Sequence, residues 1–385
     1  MNTTTLSHGK PESVGMAASQ LNRTADYVMR AVDEGILPLA EILVARRGTI
    51  VCHERFVHPE VAAEGHSLDD SSLYYLASFT KPMVATLLMQ QVEAGAVSLA
   101  RPVADYIPDF AQRGKEQVTV RHLLCHESGL PDELPVPITH VGSNEEFLEM
   151  ICQQPLVFQP GTRSTYCTWG FTVLAEIVKL ASGEELEPLG RRTLLDPLGM
   201  DQAHFGWDES WDSQIVTAFD SEMKEHPDVT LEGKKMLRGD CGAYSNGPGI
   251  AAFLQMFLNG GSYGDARILS PLSVARMTER QYAWWDTPER LSADPNDQFH
   301  NLSKGLGLML RGENFFRGSD LMSPRAFFHG GYLGMRAIAD PECELITVWM
   351  TSIIATEAGV SAYFGLPGQI CHTFGTMAFA AVDEL

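Results

Sequence analysis

A serine and a lysine three residues apart stand at the start of an apolar segment with helical character. Residues 78 to 81 read Ser-Phe-Thr-Lys, and the composition of residues 83–91 favours a helix. Positions i and i+3 share one face of a helix, so Ser78 and Lys81 are predicted to face one cleft. A serine hydroxyl needs an adjacent base to become a good nucleophile. The pair therefore indicates nucleophilic catalysis. The simpler alternative is a serine that caps a helix and is followed by an exposed lysine.

The Ser-x-x-Lys pattern alone is weak, because it occurs twice more, at positions 7–10 and 221–224. We expect the first copy to lie in a frayed, polar N-terminal segment. The second lies in a charged run that is typical of a protein surface. Only the copy at Ser78 has apolar sequence on both sides, with strand-like residues before it and helix-like residues after it.

Two further segments carry residue types that suit acyl transfer. Tyr166 comes just before an apolar helical run, and a phenol beside an amine can act as a general base. The alternative is a boundary tyrosine whose ring packs in the core. His329, Gly330 and Gly331 join two strand-like runs, and the glycines allow a ligand to lie close to the backbone. A tight hairpin turn is the alternative interpretation of these glycines.

The two histidines His122 and His126 have the i, i+4 spacing of some metal sites. The glutamate of the zinc-protease motif is absent, and no other His/Cys cluster lies nearby in the sequence. We therefore expect a helix that runs into the turn at residues 128–131, and no metal site. Ser245 narrowly misses a Gly-x-Ser-x-Gly elbow, and we expect Ser245 or Asn246 to cap the helix at 250–258.

Composition and charge narrow the classes of partner and compartment. The net charge of −21 over 385 residues argues against nucleic acids and anionic membranes as partners. Residues 1–8 lack the basic and apolar regions of a signal peptide, and no apolar stretch approaches transmembrane length. The seven irregularly spaced cysteines favour reduced thiols. These features predict a cytoplasmic protein, although a processed periplasmic form stays open.

The order of predicted elements suggests how the chain is divided. We expect helices within 11–36, 79–200 and 250–258 and from about 365, a hairpin at 40–53, and strands at 304–311, 326–329, 332–340 and 345–351. Strands thus lie at both ends and helices between them. This order predicts a sheet domain from residues 1–75 and 300–385, a mostly helical inserted domain at 76–299, and an active site at their interface.

Together these segments resemble the serine β-lactamase and penicillin-recognising superfamily. The similarity is to its class C-like branch, which also holds family VIII carboxylesterases and D-aminopeptidases. Five stretches carry the resemblance: residues 75–81 (Tyr-Leu-Ala-Ser-Phe-Thr-Lys), residues 96–108, residues 118–131 (Val-Thr-Val-Arg-His-Leu-Leu-Cys-His-Glu-Ser-Gly-Leu-Pro), Tyr166-Cys167-Thr168 in place of Tyr-x-Asn, and His329-Gly330-Gly331 in place of Lys-Thr-Gly. Their order and wide spacing are more specific than any single motif.

The resemblance implies a fold and a set of roles. The fold is α/β (α+β), of the β-lactamase/transpeptidase type, with an antiparallel sheet flanked by terminal helices beside a mostly helical domain. Ser78 would be the acylated nucleophile, and Lys81 and Tyr166 would share the base and acid roles. The backbone N–H groups of Ser78 and Tyr332 would form the oxyanion hole. No metal or organic cofactor is implied.

Two departures from the family pattern affect the predicted substrate. Thr168 stands where an asparagine amide would bind substrate, and His329 stands where a lysine would hold a substrate carboxylate. A histidine is largely uncharged at neutral pH unless its surroundings favour the cation. Both changes favour an uncharged ester with a small or medium acyl group over β-lactams and acyl-D-Ala-D-Ala peptides.

The sequence also suggests which residues form the walls of the substrate pocket, and it leaves two alternative functions open. We expect residues 132–142 and the aromatic pair Trp284 and Trp285 to line the substrate pocket. Amide chemistry is the second hypothesis, as in a D-aminopeptidase, an amidase or a weak class C-like β-lactamase. A non-catalytic binding protein that keeps the fold is the third.

Overall fold

The computed structural model of the chain describes residues 4–132, 141–227, 239–281, 303–312, 318–354 and 365–385. The strands are β1 (Ser7–His8), β2 (Leu39–Arg46), β3 (Thr49–Val57), β4 (Tyr74–Tyr75), β5 (His204–Phe205), β6 (Ala243–Ser245), β7 (Ser262–Tyr263), β8 (Ala266–Arg267), β9 (Ser303–Lys304), β10 (Met309–Leu310), β11 (Phe327–Gly330), β12 (Arg336–Asp340) and β13 (Leu345–Met350). The helices are α1 (Ala18–Asp33), α2 (Pro59–Ala63), α3 (Thr80–Glu93), α4 (Val120–Leu124), α5 (Asn144–Gln153), α6 (Trp169–Ser182), α7 (Leu186–Gly190), α8 (Gly247–Leu258), α9 (Pro271–Thr278) and α10 (Leu366–Phe379).

Strands from both ends of the chain form one sheet of eight strands, in the order β1-β3-β2-β13-β12-β11-β10-β9. All neighbouring pairs are antiparallel except β1 and β3. The predicted hairpin at 40–53 is confirmed, with Arg47 and Gly48 at φ 49° and 77° in its turn. Positive φ at both central residues matches the right-handed twist of the two strands. The α+β fold of the β-lactamase type is therefore present.

The two faces of this sheet are covered by different helices. Ala40, Ile42 and Val44 point from β2 to the layer that holds α1 and α10. Leu39 and Leu43 alternate with them and point to the larger core on the other face, which α3, α6 and α8 share. Because side chains alternate along a strand, a fully buried strand serves both layers at once.

Helix α8 joins the middle of the chain to the sheet. Of the two residues expected to cap this helix, Asn246 does so, since its Oδ1 atom accepts the N–H of Gly249 at 2.9 Å. Ser245 is instead the last residue of β6. The helix packs on β2, β12 and β13. A helix from within 76–299 thus covers the sheet built from the termini, and the division into domains at 75 and 300 stays a prediction.

Among the described residues, no helix is both long enough and apolar enough to cross a bilayer.

Three expectations about the strands and termini are wrong. The segment 304–311 is not one strand but the hairpin of β9 and β10, because the chain reverses at Gly307, where φ is 77°. The strand expected at 332–340 begins only at Arg336, because residues 331–334 form a turn. The N-terminus is not frayed at Ser7, since β1 pairs with β3 along Thr49 and Ile50.

Candidate active site

The segment that carries Ser78 is held on both sides by one residue of β6. The N–H of Leu76 donates to the carbonyl of Ala243 at 2.9 Å, and the N–H of Ala243 donates to Oγ1 of Thr80 at 3.0 Å. Between them, a turn of 3-10 helix at Ala77–Phe79 runs directly into α3. Ala77 has a φ of 45°, a strained conformation for a residue other than glycine. Ser78 is therefore half-buried at a fixed point next to β4 and β6.

The amine of Lys81 is completely buried beneath Ser78. Its Nζ atom donates to Oγ of Ser78 at 3.1 Å and to the backbone carbonyl of Asp240 at 2.9 Å. Asp240 is itself fixed, because its Oδ1 atom accepts the hydroxyl of Thr172 at 2.8 Å. The position of the amine is thus set by two polar partners and not by the flexible lysine chain.

Tyr166 completes the group around the amine. Nζ of Lys81 lies 5.2 Å from the centre of the Tyr166 ring and 5.9 Å from that of Phe171, and the Lys81 and Tyr166 side chains form a hydrogen bond. Burial alone would lower the pKa of Lys81, but Tyr166 and Asp240 outweigh it and raise this pKa above its ordinary value. Lys81 is therefore an ammonium ion at neutral pH, with protons to donate and no lone pair to accept one.

His329 lies close to the same amine but carries no charge. It is the third residue of β11, it is buried, and its ring meets the ring of Phe79 edge to face at 6.4 Å. Burial, with the positive charge of Lys81, lowers the pKa of His329 to about 3. The structure thus places a neutral imidazole where the family pattern has a cationic lysine.

The residues after His329 lead from the sheet into a short turn. Gly330 ends β11 opposite Arg336, and the N–H of Gly331 closes the turn by donating to the carbonyl of Met335 at 2.9 Å. Tyr332 lies in this turn with 53% of its surface exposed. Strand β11 contacts the 3-10 turn that holds Ser78. The Gly-Gly pair is therefore both the end of a strand and part of a turn.

Thr168 is placed two residues beyond Tyr166, at the start of α6. Its N–H donates to Oδ1 of Asp132 at 2.5 Å. The carboxylate thus caps the first turn of the helix from outside it. Trp284 and Trp285 lie outside the described residues, as do residues 133–140 of the expected pocket wall.

One group of side chains among the described residues has the geometry to hold a metal ion. Ligand atoms of Glu64, His66 and Glu225 lie within 4.8 Å of one another, and Nε2 of His66 is 2.8 Å from Oε1 of Glu225. The ring of His66 also packs edge to face on Phe219. An ion pair on a largely exposed surface accounts for this group, and it shares no residue with the Ser78 site.

Comparison with known proteins identifies the family. The sequence profile of the Beta-lactamase family matches residues 25–361, which is most of the chain. The chain belongs to this family. A protein of Salmonella agona (strain SL483) with the provisional name D-alanyl-D-alanine carboxypeptidase is 24% identical over 383 residues, covering 87% of this chain and 83% of that one.

Solved structures with a similar fold are about as distant from this chain in sequence. A penicillin-binding protein homologue from Caulobacter crescentus has a TM-score of 0.76 and 20% identity, with 95% of this chain and 99% of that one covered. A family VIII carboxylesterase has a TM-score of 0.75 and 22% identity, with coverage of 96% and 98%. The protein is therefore a serine hydrolase of the β-lactamase superfamily, and the likeness alone leaves its substrate undecided.

The structure adds residues to this site that the sequence did not indicate. Asp240 acts through its backbone carbonyl, for which the residue type gives no signal. Asp132 is expected from the sequence only as part of the pocket wall at 132–142, and the fold adds its contact with the N–H of Thr168. His126 belongs to the characteristic 118–131 stretch, but its i, i+4 spacing with His122 gives no sign of a contact with Tyr166. Its ring stacks on Tyr166 with the ring centres 4.5 Å apart.

Proposed function

We propose that this member of the β-lactamase family is a carboxylesterase that forms an acyl-enzyme at Ser78. Its substrates would be uncharged esters with small or medium acyl groups. One observation carries the proposal: Nζ of Lys81 bridges Oγ of Ser78 and the carbonyl of Asp240, while position 329 holds a buried histidine whose pKa is lowered to about 3. The site therefore has activating groups for a serine but lacks a cation at position 329 to hold a substrate carboxylate.

Acylation in this site requires a base other than the resting Lys81. Because Lys81 holds its proton, Tyr166 would act as the base that takes the proton from Oγ of Ser78 as this oxygen attacks the ester carbonyl. Lys81 would stabilise the negative charge throughout. When the C–O bond breaks, the phenol of Tyr166 would return the proton to the leaving alkoxide. Water or an alcohol would then attack the acyl-enzyme by the same route in reverse.

The oxyanion hole is proposed to combine the N–H groups of Ser78 and Tyr332. Ser78 lies in the turn that opens α3, where the helix dipole favours negative charge. Tyr332 follows β11, which contacts that turn. One such donor contributes about 3–4 kcal/mol to the stabilisation of the transition state.

Amide hydrolysis is the second candidate, and the curated relative favours it. That relative, from Salmonella agona, carries the name of a D-alanyl-D-alanine carboxypeptidase. An amide needs protonation of a poor leaving amine, and Tyr166 beside Lys81 could supply that proton. Rates on an ester and an amide with the same acyl group would separate the two candidates.

The deciding experiment uses p-nitrophenyl acetate, p-nitrophenyl butyrate and nitrocefin in parallel. Intact-protein mass is measured after brief exposure while chromophore release is followed, with Ser78→Ala as the control. Turnover of both esters but not of nitrocefin, with loss in the variant, supports the esterase. Rapid turnover of nitrocefin would favour the β-lactamase alternative. Absence of both an acyl adduct and chromophore release in the wild type would favour a non-catalytic binding protein.

A further inference from the structure

His126 occupies an unusual position that the proposed chemistry does not use. It directly follows the last turn of α4, it is buried, and its φ of 57° lies in the left-handed region. Histidine is among the residues that tolerate this region, but the conformation costs free energy and persists only where the surroundings enforce it. Such a buried and strained polar residue calls for a specific role.

The backbone and ring of His126 hold both chain neighbours of Tyr166. Its carbonyl oxygen accepts the N–H of Thr165 at 2.9 Å. Its Nδ1 atom accepts the N–H of Cys167 at 3.0 Å. The residues immediately before and after Tyr166 are thus tied to a single residue on another segment. These two bonds fix the path of the backbone from which the phenol extends.

The ring of His126 also fixes the phenol ring itself. The rings of His126 and Tyr166 stack with their centres 4.5 Å apart and their planes 25° apart, and the ring centre of Phe171 lies 5.3 Å from that of His126. Burial, helped by the positive charges of Lys304 and Lys81, lowers the pKa of His126 well below its usual value. The ring is therefore neutral, and Nδ1 accepts the Cys167 N–H in the tautomer that carries its proton on Nε2. In the other tautomer Nδ1 donates to the carbonyl of Cys167, 3.1 Å away, so either form keeps a bond to Cys167.

The neighbouring His122 shows what a purely structural histidine looks like in this segment. Its Nδ1 atom accepts the N–H of Thr119 at 3.2 Å, and the Thr119 hydroxyl accepts the His122 N–H at 3.3 Å. This reciprocal pair caps α4. His122 and His126 thus serve different partners despite their i, i+4 spacing.

From these contacts we infer that His126 is a positioning residue for the acyl-transfer reaction, which holds the Tyr166 phenol against Lys81. The inference rests on the proposed role of Tyr166. A phenol that is free to rotate would sample positions from which it cannot reach the Ser78 proton. A misplacement of about 1 Å in a reacting group can cost about 100-fold in rate. Loss of His126 should therefore act on the chemical step and leave substrate binding largely unchanged.

The test compares three variants at His126 with the matched control His122→Ala. His126→Ala removes the ring and its acceptor, His126→Phe keeps the stacked ring, and His126→Asn keeps an acceptor and suits the left-handed backbone. For each, kcat and KM on p-nitrophenyl acetate are measured from pH 5 to pH 10, together with the melting temperature. We expect His126→Ala to lower kcat about 10- to 100-fold with KM within about twofold. His126→Phe and His126→Asn should recover part of this loss.

The control separates positioning from general damage to the fold. His122→Ala should lower the melting temperature by loss of a helix cap but keep kcat and the pH profile of the wild type. The His126 variants should shift the pH profile. Wild-type kcat and pH profile in folded His126→Phe and His126→Asn would overturn the inference, as would an equal loss of kcat in His122→Ala. If the wild type itself formed no acyl adduct at Ser78, the proposed function would fail and the inference with it.

Discussion

Gly331 lies so close to Leu76 that the contact between their two backbones sets the distance between the sheet and the turn that carries Ser78. A Cβ atom on Gly331 would come within 2.5 Å of the carbonyl oxygen of Leu76 and 2.8 Å of Cγ of Met335. The first of these neighbours is backbone and cannot move aside easily. The absence of a side chain at residue 331 is therefore what allows β11 to approach the turn that carries Ser78.

The substitution Gly331→Ala should separate these two segments. We expect it to cost about 1–3 kcal/mol in the free energy of unfolding, as overpacking does. It should also move the N–H of Tyr332 away from Ser78, and loss of one oxyanion donor lowers kcat about 100- to 1,000-fold. Chemical denaturation and esterase kinetics measure the two effects.

The matched control for this prediction is Gly95→Ala. Gly95 has a φ of 75° and no atom within 4 Å of its Cβ position, so alanine there strains the backbone without a clash. It should cost about 1–2 kcal/mol and leave kcat unchanged. Equal activity in the Gly331 and Gly95 variants would contradict a role for the close approach in catalysis.

Lys81→Met should remove the charge at the centre of the site while it keeps the length of the side chain. We expect acylation of Ser78 to slow by about 100- to 1,000-fold, the usual cost of removing a group that stabilises charge in the transition state. The rate of acyl-adduct formation, followed by intact-protein mass, gives this number. Lys115→Met is the control, because Lys115 is equally buried but its amine donates to the carbonyls of Cys152 and Gln154. That variant should lose stability and retain its acylation rate.

The sequence predicted the parts of this architecture that are formed by residues close together in the chain. The hairpin at β2 and β3 follows from its turn residues and alternation, and the cap at Asn246 follows from side-chain chemistry next to an apolar helix. Family resemblance supplied the fold and the Ser78, Lys81 and Tyr166 set. The prediction of a single strand at 304–311 was wrong because two short strands paired across a glycine turn have the same composition as one longer strand.

Long-range contacts through the backbone could not be predicted in this way. The carbonyl of Asp240 holds Lys81 from 159 positions away in the chain, and any residue type offers a carbonyl. The neutral state of His329 depends on its burial and on its distance from Lys81, and neither follows from its position in a motif. The sequence could only state that a histidine near neutrality is usually uncharged.

The charge of residue 329 should set the preference between neutral and anionic substrates. We expect His329→Lys to raise kcat/KM for an ester with a carboxylate in its acyl group by roughly tenfold relative to a neutral ester, since a hydrogen bond to a charged group contributes about 1.5–3 kcal/mol. His329→Gln, which adds no charge, is the control. An unchanged ratio in the lysine variant would show that the carboxylate is held elsewhere.

The pH dependence of the wild type tests the same point without a mutation. The pKa of His329 is lowered from 6.5 to about 3, so the ring stays neutral as the pH falls from 8 to 5. The ratio of kcat/KM for the anionic ester to that for the neutral ester should therefore stay constant over this interval, for substrates with fully ionised carboxylates. A rise in this ratio below pH 6.5 would indicate a histidine that becomes cationic.

Glu127 should make the protein less stable as the pH rises from about 4.5 to 7. Burial raises the pKa of Glu127 from 4.5 to about 7, although Arg121 donates to Oε2 at 3.2 Å. Between these values the unfolded chain loses the proton and the folded chain keeps it, so the stabilisation that is complete below pH 4.5 is lost as the pH passes 7. In Glu127→Gln the free energy of unfolding should fall less over this interval.

Glu93→Gln provides a control, because it should change the pH dependence of the free energy of unfolding in the opposite direction. Partial burial of Glu93 would raise its pKa, but hydrogen bonds from Ser273 and Ser270 outweigh this and lower it. The folded chain therefore releases the Glu93 proton more readily, and this stabilisation is present above pH 4.5 and lost as the pH falls. Urea denaturation of both variants and the wild type measures the slopes, from about pH 3 to pH 4.5 for Glu93 and from about pH 4.5 to pH 7 for Glu127. If both glutamines changed the slope in the same direction, the burial of Glu127 would not be the cause of its effect.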